Sequence, residues 1–312
     1  MRKVLLCLLG LVAWVHAADD WIALFPDGAP LGVKSAAVKE EVRQRGEYAD
    51  GGIRNVAVPA YKIMMPPPEK RTGAGVVIFP GGGYTALAMG HEGYDYAKWM
   101  VQRGLVAMIV KYRVSDNPAF ALQFPLPLLD ARCAIRTMRA HAKKWGVDPN
   151  KVGVMGSSAG GHLTAMTATL HKKSFKDEQW HMEYSCRPDF AILVYPVIGM
   201  NSPWMHKGSQ VRLLGEAASE ELKDLVSAHQ QVDADTPPCF LIHAADDKVV
   251  SLRNSTEFTA ACAEKGVAVV CHVYAHGGHG FGLKGKKDSV IWPKRLEEWL
   301  ISRELTPLVD VP

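Results

Sequence analysis

The chain has 312 residues, with 36 Lys and Arg against 32 Asp and Glu, which gives a formal net charge of +4. Charges this close to balance exclude a polybasic surface for nucleic acid and a strong field for steering an acidic ligand. Hydrophobic residues make up 48% and charged residues 22%, which excludes a disordered chain. The length is sufficient for one large α/β domain or for two smaller ones.

The first 17 residues have the pattern of a secretory signal peptide. Arg2 and Lys3 precede an apolar run from Val4 to Val15. Val15 and Ala17 then occupy the minus-three and minus-one positions of a signal-peptidase site, which suits cleavage after Ala17. A membrane anchor is the alternative, but the run is about a dozen residues and a span needs roughly 20. We therefore expect an exported protein, periplasmic or extracellular, whose mature form has no membrane segment.

Short apolar runs rich in Val and Ile then alternate with helix-like segments. The runs predict strands at 56–64, 75–79, 105–110, 151–155, 190–195, 239–243 and 267–274. The segments between them predict helices at 94–103, 128–145, 159–171, 219–229, 251–265 and 289–303. Strand–helix alternation of this kind predicts an α/β fold with a mostly parallel sheet covered by helices on both faces.

Two segments interrupt this alternation, and we interpret them as short insertions into a single domain spanning 18–312. They cover 172–188 and 197–217 and contain Trp180 and Trp204. Ligands of open α/β sheets bind at the carboxyl ends of the strands. We therefore expect both insertions to shape a pocket there, although surface loops with packed aromatic side chains would give the same pattern.

Five cysteines follow the predicted signal peptide, an odd number that leaves at least one free thiol. Their density is too low for a disulfide scaffold. Cys262 and Cys271 lie on a predicted helix and on the strand that follows it, so these two residues could form a disulfide. The alternative is that they are buried free thiols.

The motif Gly156-Ser157-Ser158-Ala159-Gly160 follows a predicted strand and precedes a predicted helix. This is G-x-S-x-G in the strand–turn–helix setting that exposes a nucleophilic serine above a sheet. Small residues two positions before and after Ser158 let the strand and the helix approach closely. Ser158 is therefore the predicted nucleophile, and Ser157 lies one position off the tip of the turn.

A serine hydroxyl needs a general base, and histidine has a suitable pKa. The base is expected in a loop after the last strand, where the sequence reads AHGGHGFG at 275–282. We predict His279 as the base, with His276 as the alternative. His162 and His243 are interpreted as packing or hydrogen-bonding residues.

The base needs a carboxylate that fixes its tautomer. The predicted strand at 239–243 leads to Asp246 and Asp247, with Lys248 and two valines after them. We predict Asp247 as this acid and Asp246 as a loop carboxylate bonded to backbone. The chain order Ser158, Asp247, His279 is the order expected in this type of fold.

Three glycines follow Pro80 at the end of the predicted strand 75–79. Glycine lets backbone N–H groups approach a substrate oxygen closely, and one further donor follows the nucleophile. We predict an oxyanion hole formed by the N–H groups of Gly82, Gly83 and Ala159. A phosphate-binding loop is the alternative, but the Lys-Ser/Thr that such loops carry is missing.

A metal site is the other alternative. His272, His276 and His279 could be ligands, but a strand followed by a glycine loop does not place this spacing on one face. We therefore expect neither a metal nor an organic cofactor.

Four motifs together resemble the α/β-hydrolase superfamily: FPGGGYTALAMGHEGYDYAKWM, VDPNKVGVMGSSAGGHL, HAADDKVV and HGGHGFG. The similarity covers roughly residues 55–302. The branch that looks most similar contains bacterial secreted carboxylesterases known as acetylxylan esterases, related to the hormone-sensitive-lipase-like esterases. Pro80 departs from the latter, which carry a histidine before the glycines.

This resemblance implies an α/β-hydrolase fold and a serine esterase acting on small acyl groups, commonly acetyl groups on carbohydrate. The expected partner is therefore a small-molecule or polysaccharide ester, and not nucleic acid. Two rival hypotheses remain: a serine peptidase of the prolyl-oligopeptidase type, and a binding protein on an inactive hydrolase scaffold.

Overall fold

The computed structural model describes residues 21–31, 38–117, 124–176 and 178–307 of the protein. The predicted signal peptide at 1–17 lies outside these ranges and stays a prediction. None of the helices in the described ranges is long and apolar enough to span a membrane.

The described residues form two sheets. Their strands are β1 (Ile22–Ala23), β2 (Glu41–Arg45), β3 (Tyr48–Arg54), β4 (Ala60–Met64), β5 (Gly75–Phe79), β6 (Ala86–Leu87), β7 (Val106–Lys111), β8 (Val152–Ser157), β9 (Ala191–Val194), β10 (Cys239–Ala244) and β11 (Val269–Tyr274). The larger sheet has the order β1-β4-β7-β5-β8-β9-β10-β11, and the smaller one has the order β2-β3-β6.

The larger sheet is parallel from β7 to β11, and β1 and β4 run antiparallel to their neighbours. From β7 to β10 the strands are buried along their whole length, which explains their continuous apolar character. After β5 the chain adds β7 on one side and β8 on the other. The carboxyl ends of β5 and β8 therefore flank the crevice where open α/β sheets bind ligands.

Helices cover both faces of this sheet. They are α1 (Asp95–Gln102), α2 (Leu126–Ala140), α3 (Ala142–Trp145), α4 (Ser158–Thr169), α5 (Lys207–Leu214), α6 (Glu220–Leu225), α7 (Arg253–Glu264) and α8 (Trp292–Ser302). A π-helical turn, Gly90–Tyr94, leads into α1. Three short 3-10 turns complete the described helices: Pro68–Lys70, Ala228–Gln231 and Lys287–Ile291.

The predicted parallel sheet is confirmed, with small shifts in the bounds of its strands. The largest shift concerns the predicted strand 56–64. There β4 begins only at Ala60, because Pro59 cannot donate to a ladder and Val56 forms only an isolated bridge with Val114. The smaller sheet was missed because β2 is exposed at every residue and β3 contains two glycines, so neither carries a buried-strand pattern.

The segment 172–188 packs along α2, and its Phe175 meets Phe124, just before this helix, with ring centroids 5.5 Å apart. The expectation that the segment shapes a pocket at the carboxyl edge stays a prediction. Glu178 in this segment forms ion pairs with Arg132 at 2.8 Å and with Arg136 at 2.6 Å, both on α2. The N–H of Asp189, just after the segment, donates to the carbonyl at the beginning of β8. Both ends of the segment lie at the opposite edge, because α4 runs antiparallel to β8 and leads the chain there.

The segment 197–217 follows β9 and therefore lies at the carboxyl edge. The N–H of Val197 donates to the carbonyl oxygen of Ser158 at 3.0 Å. The side-chain oxygen of Asn254 accepts the N–H groups of Ile198 and Gly199 at 2.8 and 3.2 Å, which ties the segment to α7. The segment also contains α5, a helix that its sequence pattern did not predict.

Candidate active site

The turn between β8 and α4 places Ser158 at the tip of a sharp bend. Its φ is +53°, a left-handed conformation that is strained for a residue other than glycine. A Cβ on Gly160 would lie 2.0 Å from the carbonyl oxygen of Phe79, and one on Gly156 would lie 2.2 Å from that of Gly160. Both contacts are impossible, which explains why the motif requires glycine on each side of the serine.

Three loops at the carboxyl edge bring Ser158, Asp247 and His279 into one hydrogen-bonded chain. The distance from His279 Nε2 to Ser158 Oγ is 2.9 Å, and the distance from His279 Nδ1 to Asp247 Oδ2 is 2.6 Å. The loops follow β8, β10 and β11, so the parallel sheet itself brings together residues far apart in the sequence. A neutral imidazole fits this chain by donating Nδ1–H to the carboxylate and accepting the serine proton at Nε2.

The surroundings of Asp247 keep its carboxyl group ionised. Burial alone would raise its pKa, but hydrogen bonds from His243, His279 and the N–H of Val250 outweigh this effect and hold the pKa well below its usual value. The N–H groups of Val249 and Val250 both reach Oδ1, at 2.8 and 2.9 Å. The carboxylate is therefore fixed in orientation, with Oδ2 toward the histidine.

His243 is a second imidazole on the same carboxylate, a contact that the sequence analysis did not identify. It is fully buried on β10, and its Nε2 lies 3.3 Å from Asp247 Oδ2 and 3.0 Å from the carbonyl oxygen of Val250. Its Nδ1 lies 2.8 Å from Ser255 Oγ. The only sequence signal was its position four residues before Asp247 at the end of a predicted strand.

The glycine loop after β5 lies against the nucleophile. A Cβ on Gly81 would lie 3.0 Å from Ser158 Cβ. The φ values of Gly82 and Gly83 are +136° and +64°, which favour glycine at both positions. Within the described ranges, no acceptor takes the N–H of Gly82 or Gly83. The contact at Gly81 places this loop beside the nucleophile turn, and the oxyanion hole of Gly82, Gly83 and Ala159 stays a prediction.

The alternative acid and base have other partners. Asp246 Oδ1 accepts the N–H groups of Gly277 and Gly278 at 2.9 and 2.7 Å and so fixes the start of the histidine loop. His276 is half exposed, and its Nδ1 lies 3.4 Å from Asp288 Oδ1. Neither side chain belongs to the hydrogen-bonded chain that contains Ser158.

The aromatic residues of the two interrupting segments lie in different places. Trp180 packs edge-on against Phe25 with ring centroids 4.5 Å apart, in the segment that packs along α2. Trp204 lies at that edge and is half buried, with its ring centroid 5.4 Å from that of His229 and 5.9 Å from the guanidinium of Arg253.

All five cysteines in the described ranges are free thiols, so the pair between Cys262 and Cys271 does not form in this structure. The described residues also contain no group of three or more His, Cys, Asp or Glu side chains placed to hold a metal ion. His272, His276 and His279 therefore do not form a three-ligand site.

His162 links the glycine loop to the region after α6. Its Nε2 lies 2.7 Å from the carbonyl oxygen of Val226, and its Nδ1 lies 2.7 Å from the hydroxyl of Tyr84. A carbonyl can only accept, so the proton is on Nε2 and the Tyr84 hydroxyl donates to Nδ1. Burial disfavours the charged imidazole and lowers the pKa of His162 to about 4, despite the opposing effect of the carbonyl of Val226.

We expect His162 to make the protein sensitive to acid. In the unfolded chain the His162 imidazole binds a proton below about pH 6.5, but in the folded chain it does so only below about pH 4. The stability that comes from burying the neutral imidazole is therefore fully present above pH 6.5 and is lost as the pH falls to 4. It amounts to about 3 kcal/mol. Urea unfolding at pH 7, 5.5 and 4 should show a steeper loss for the wild type than for His162→Gln, whereas parallel losses would contradict the assignment.

The chain matches one protein family and is similar to several named proteins. Residues 61–262, more than half of the chain, match the BD-FAE family. The acetylxylan esterase of Xylanibacter ruminicola is 34% identical over 221 residues, which are 69% of this chain and 42% of that protein. The chain therefore spans less than half the length of that relative.

Two solved structures are similar over nearly their whole length. The acetyl ester-xyloside bifunctional hydrolase of Caldicellulosiruptor lactoaceticus is 32% identical with a TM-score of 0.77, covering 94% of this chain and 99% of that one. Thermogutta terrifontis esterase 2, solved after phosphorylation by paraoxon, is 26% identical with a TM-score of 0.66, covering 87% and 96%. With the matched family and the sheet order described above, these similarities show that the chain belongs to the BD-FAE family and has the α/β-hydrolase fold.

Proposed function

We propose that the protein is a serine carboxylesterase that removes short acyl groups, in nature acetyl groups on carbohydrate. The hydrogen-bonded chain from Ser158 through His279 to Asp247 is the observation that carries this proposal. The relatives named as esterases support the reaction class, and the words acetylxylan and acetyl ester-xyloside in two of their names support the substrate class.

The reaction begins with acyl transfer to the enzyme. His279 Nε2 takes the proton of Ser158 Oγ while this oxygen attacks the ester carbonyl carbon. The negative charge moves to the carbonyl oxygen, which accepts the N–H groups of Gly82, Gly83 and Ala159. His279 then gives the proton to the leaving alcohol oxygen, and an acyl ester on Ser158 remains.

Water completes the cycle by the same steps. His279 takes a proton from water, the resulting hydroxide attacks the acyl carbon, and collapse of the second tetrahedral intermediate returns the proton to Ser158 Oγ. The products are one carboxylic acid and one alcohol. Asp247 stabilises the imidazolium in both halves of the reaction without taking its proton.

The substrate is tested with two sets of esters. We expect kcat/KM to fall at least about tenfold between 4-nitrophenyl acetate and 4-nitrophenyl octanoate, and we expect acetate release from acetylated xylo-oligosaccharides, because a methylene that does not fit a pocket changes binding by about 1–3 kcal/mol. Preference for the octanoate would overturn the short-acyl assignment. Activity on simple acetates with none on the acetylated oligosaccharides would overturn the carbohydrate assignment.

A further inference from the structure

A buried carboxylate, Glu92, lies behind the candidate site and takes no part in the reaction written above. It is 3% exposed and sits in the π-helical turn before α1. Its Oε2 accepts the N–H of Gly81 at 2.9 Å, and its Oε1 accepts the hydroxyl of Tyr195 at 2.7 Å. Burying a charge is costly unless it is hydrogen-bonded, and both oxygens of Glu92 have such partners. Turns of this π-helical kind are frequent at functional sites.

Tyr195 extends this contact to the loop that carries the histidine. Its hydroxyl oxygen accepts the N–H of Gly282 at 3.0 Å. Its ring centroid lies 4.9 Å from that of His279 and 4.7 Å from that of Phe281. The φ of Tyr195 is +37°, a conformation that costs energy in a residue other than glycine and persists only where the surroundings enforce it.

A third contact reaches the residue before the nucleophile. The hydroxyl of Tyr96 lies 2.9 Å from Ser157 Oγ and 3.4 Å from the hydroxyl of Tyr195. Tyr96 and Ser157 are both fully buried. The Glu92 network, defined as Glu92, Tyr195, Tyr96 and Ser157, therefore touches the glycine loop, the histidine loop and the nucleophile turn.

We infer that Glu92 and Tyr195 are positioning residues that fix the glycine loop relative to His279, an inference that rests on the proposed function. Glu92 accepts the N–H of Gly81 and so fixes the loop, while the N–H groups of Gly82 and Gly83 find no acceptor among the residues that the structure describes. Through Tyr195 the same carboxylate fixes the backbone three residues after His279. The oxyanion donors and the general base are thus held through one side chain.

This arrangement matters because the oxyanion must be stabilised in the same step in which His279 takes the serine proton. Displacing a reacting group by about 1 Å can cost about a hundredfold in rate. Substrate binding in the ground state depends less on how the oxyanion donors are placed relative to His279. Loss of the network should therefore lower kcat more than it raises KM.

The test uses Glu92→Gln and Tyr195→Phe with 4-nitrophenyl acetate. The glutamine keeps the size of Glu92 but can accept with only one of its two end groups, and the phenylalanine removes the hydroxyl that joins Glu92 to Gly282. We expect each variant to lose about 10- to 100-fold in kcat, with KM within about threefold of the wild type. The double variant should be no slower than the slower single one, because both changes break the same link.

Ile135→Val serves as the stability control, since Ile135 is fully buried in α2. It should lower Tm and leave kcat unchanged, so a loss of kcat in the network variants at a temperature where all are folded reflects positioning. Should Tyr195→Phe not fold, Glu92→Gln alone carries the test.

The inference and the proposed function fail in different ways. Suppose that Ser158→Ala abolishes activity. A kcat within about twofold of the wild type in the network variants would then overturn the inference alone, and so would losses that multiply in the double variant. Activity that survived Ser158→Ala would instead overturn the proposed function.

Discussion

Replacing Ser158 by alanine should lower kcat for 4-nitrophenyl acetate by about a millionfold, the scale observed when the nucleophile of a Ser–His–Asp hydrolase is removed. The physical reason is that no other hydroxyl in the described ranges accompanies Ser158 in the chain to His279 and Asp247. The remaining rate would come from the oxyanion donors and from substrate binding. Steady-state kinetics of the purified variant, with circular dichroism to verify folding, is the measurement.

The matched control is Ser302→Ala. Ser302 is the last residue of α8, and its Oγ donates to the carbonyl of Trp299, so the substitution removes one hydroxyl far from the carboxyl edge. It should leave kcat unchanged. A fluorophosphonate probe should label the wild type and Ser302→Ala but not Ser158→Ala. Labelling of a folded Ser158→Ala variant would assign the nucleophile to another residue.

The same position should also show a conflict between stability and activity. The φ of +53° at Ser158 is costly for alanine and serine alike but not for glycine. Ser158→Gly is therefore expected to be as inactive as Ser158→Ala and more stable than it. That result would show that the left-handed conformation of Ser158 serves the placement of its hydroxyl rather than the stability of the fold.

The residues of the site that could be predicted from sequence are those fixed by local geometry. Gly156 and Gly160 flank Ser158 because the tight turn excludes any Cβ at those positions. Asp247 and His279 follow predicted strands, and a parallel sheet places all such strand ends on one edge. Local spacing therefore identified the three side chains that the structure brings together.

The residues that were missed act through contacts distant in sequence. Glu92 and Tyr195 are 103 positions apart. Glu92 precedes the predicted helix 94–103 and Tyr195 ends the predicted strand 190–195, so nothing connects them until the sheet is assembled. His243 was interpreted as a packing or hydrogen-bonding residue, but its partner Asp247 could not be named because the contact depends on the conformation of the loop after β10. The packing of 172–188 along α2 could not be predicted either, since it required knowing at which edge of the sheet α4 ends.

Asp247→Asn should lower kcat by about ten-thousandfold while leaving the fold intact. The N–H groups of Val249 and Val250 both reach Oδ1, so only the carbonyl oxygen of the asparagine can occupy that position. The amide NH₂ group must then face His279 Nδ1. Because that group can only donate, Nδ1 becomes an acceptor and the imidazole proton moves to Nε2. Nε2 would then donate to Ser158 Oγ and could no longer take its proton.

Asp246→Asn is the matched control, since it removes the same charge one residue earlier. The oxygen of the new amide can still accept the N–H groups of Gly277 and Gly278, so the histidine loop keeps its shape. We expect this variant to retain at least about a tenth of the wild-type kcat, because the charge that it removes is exposed and screened by solvent.

If both variants lost activity equally, the shape of the histidine loop would explain the effect. If neither did, the carboxylate would not be setting the tautomer of His279. A large loss in Asp247→Asn alone is the result that requires a fixed carboxylate orientation, because only there does the backbone force the amide to present its donor to the imidazole.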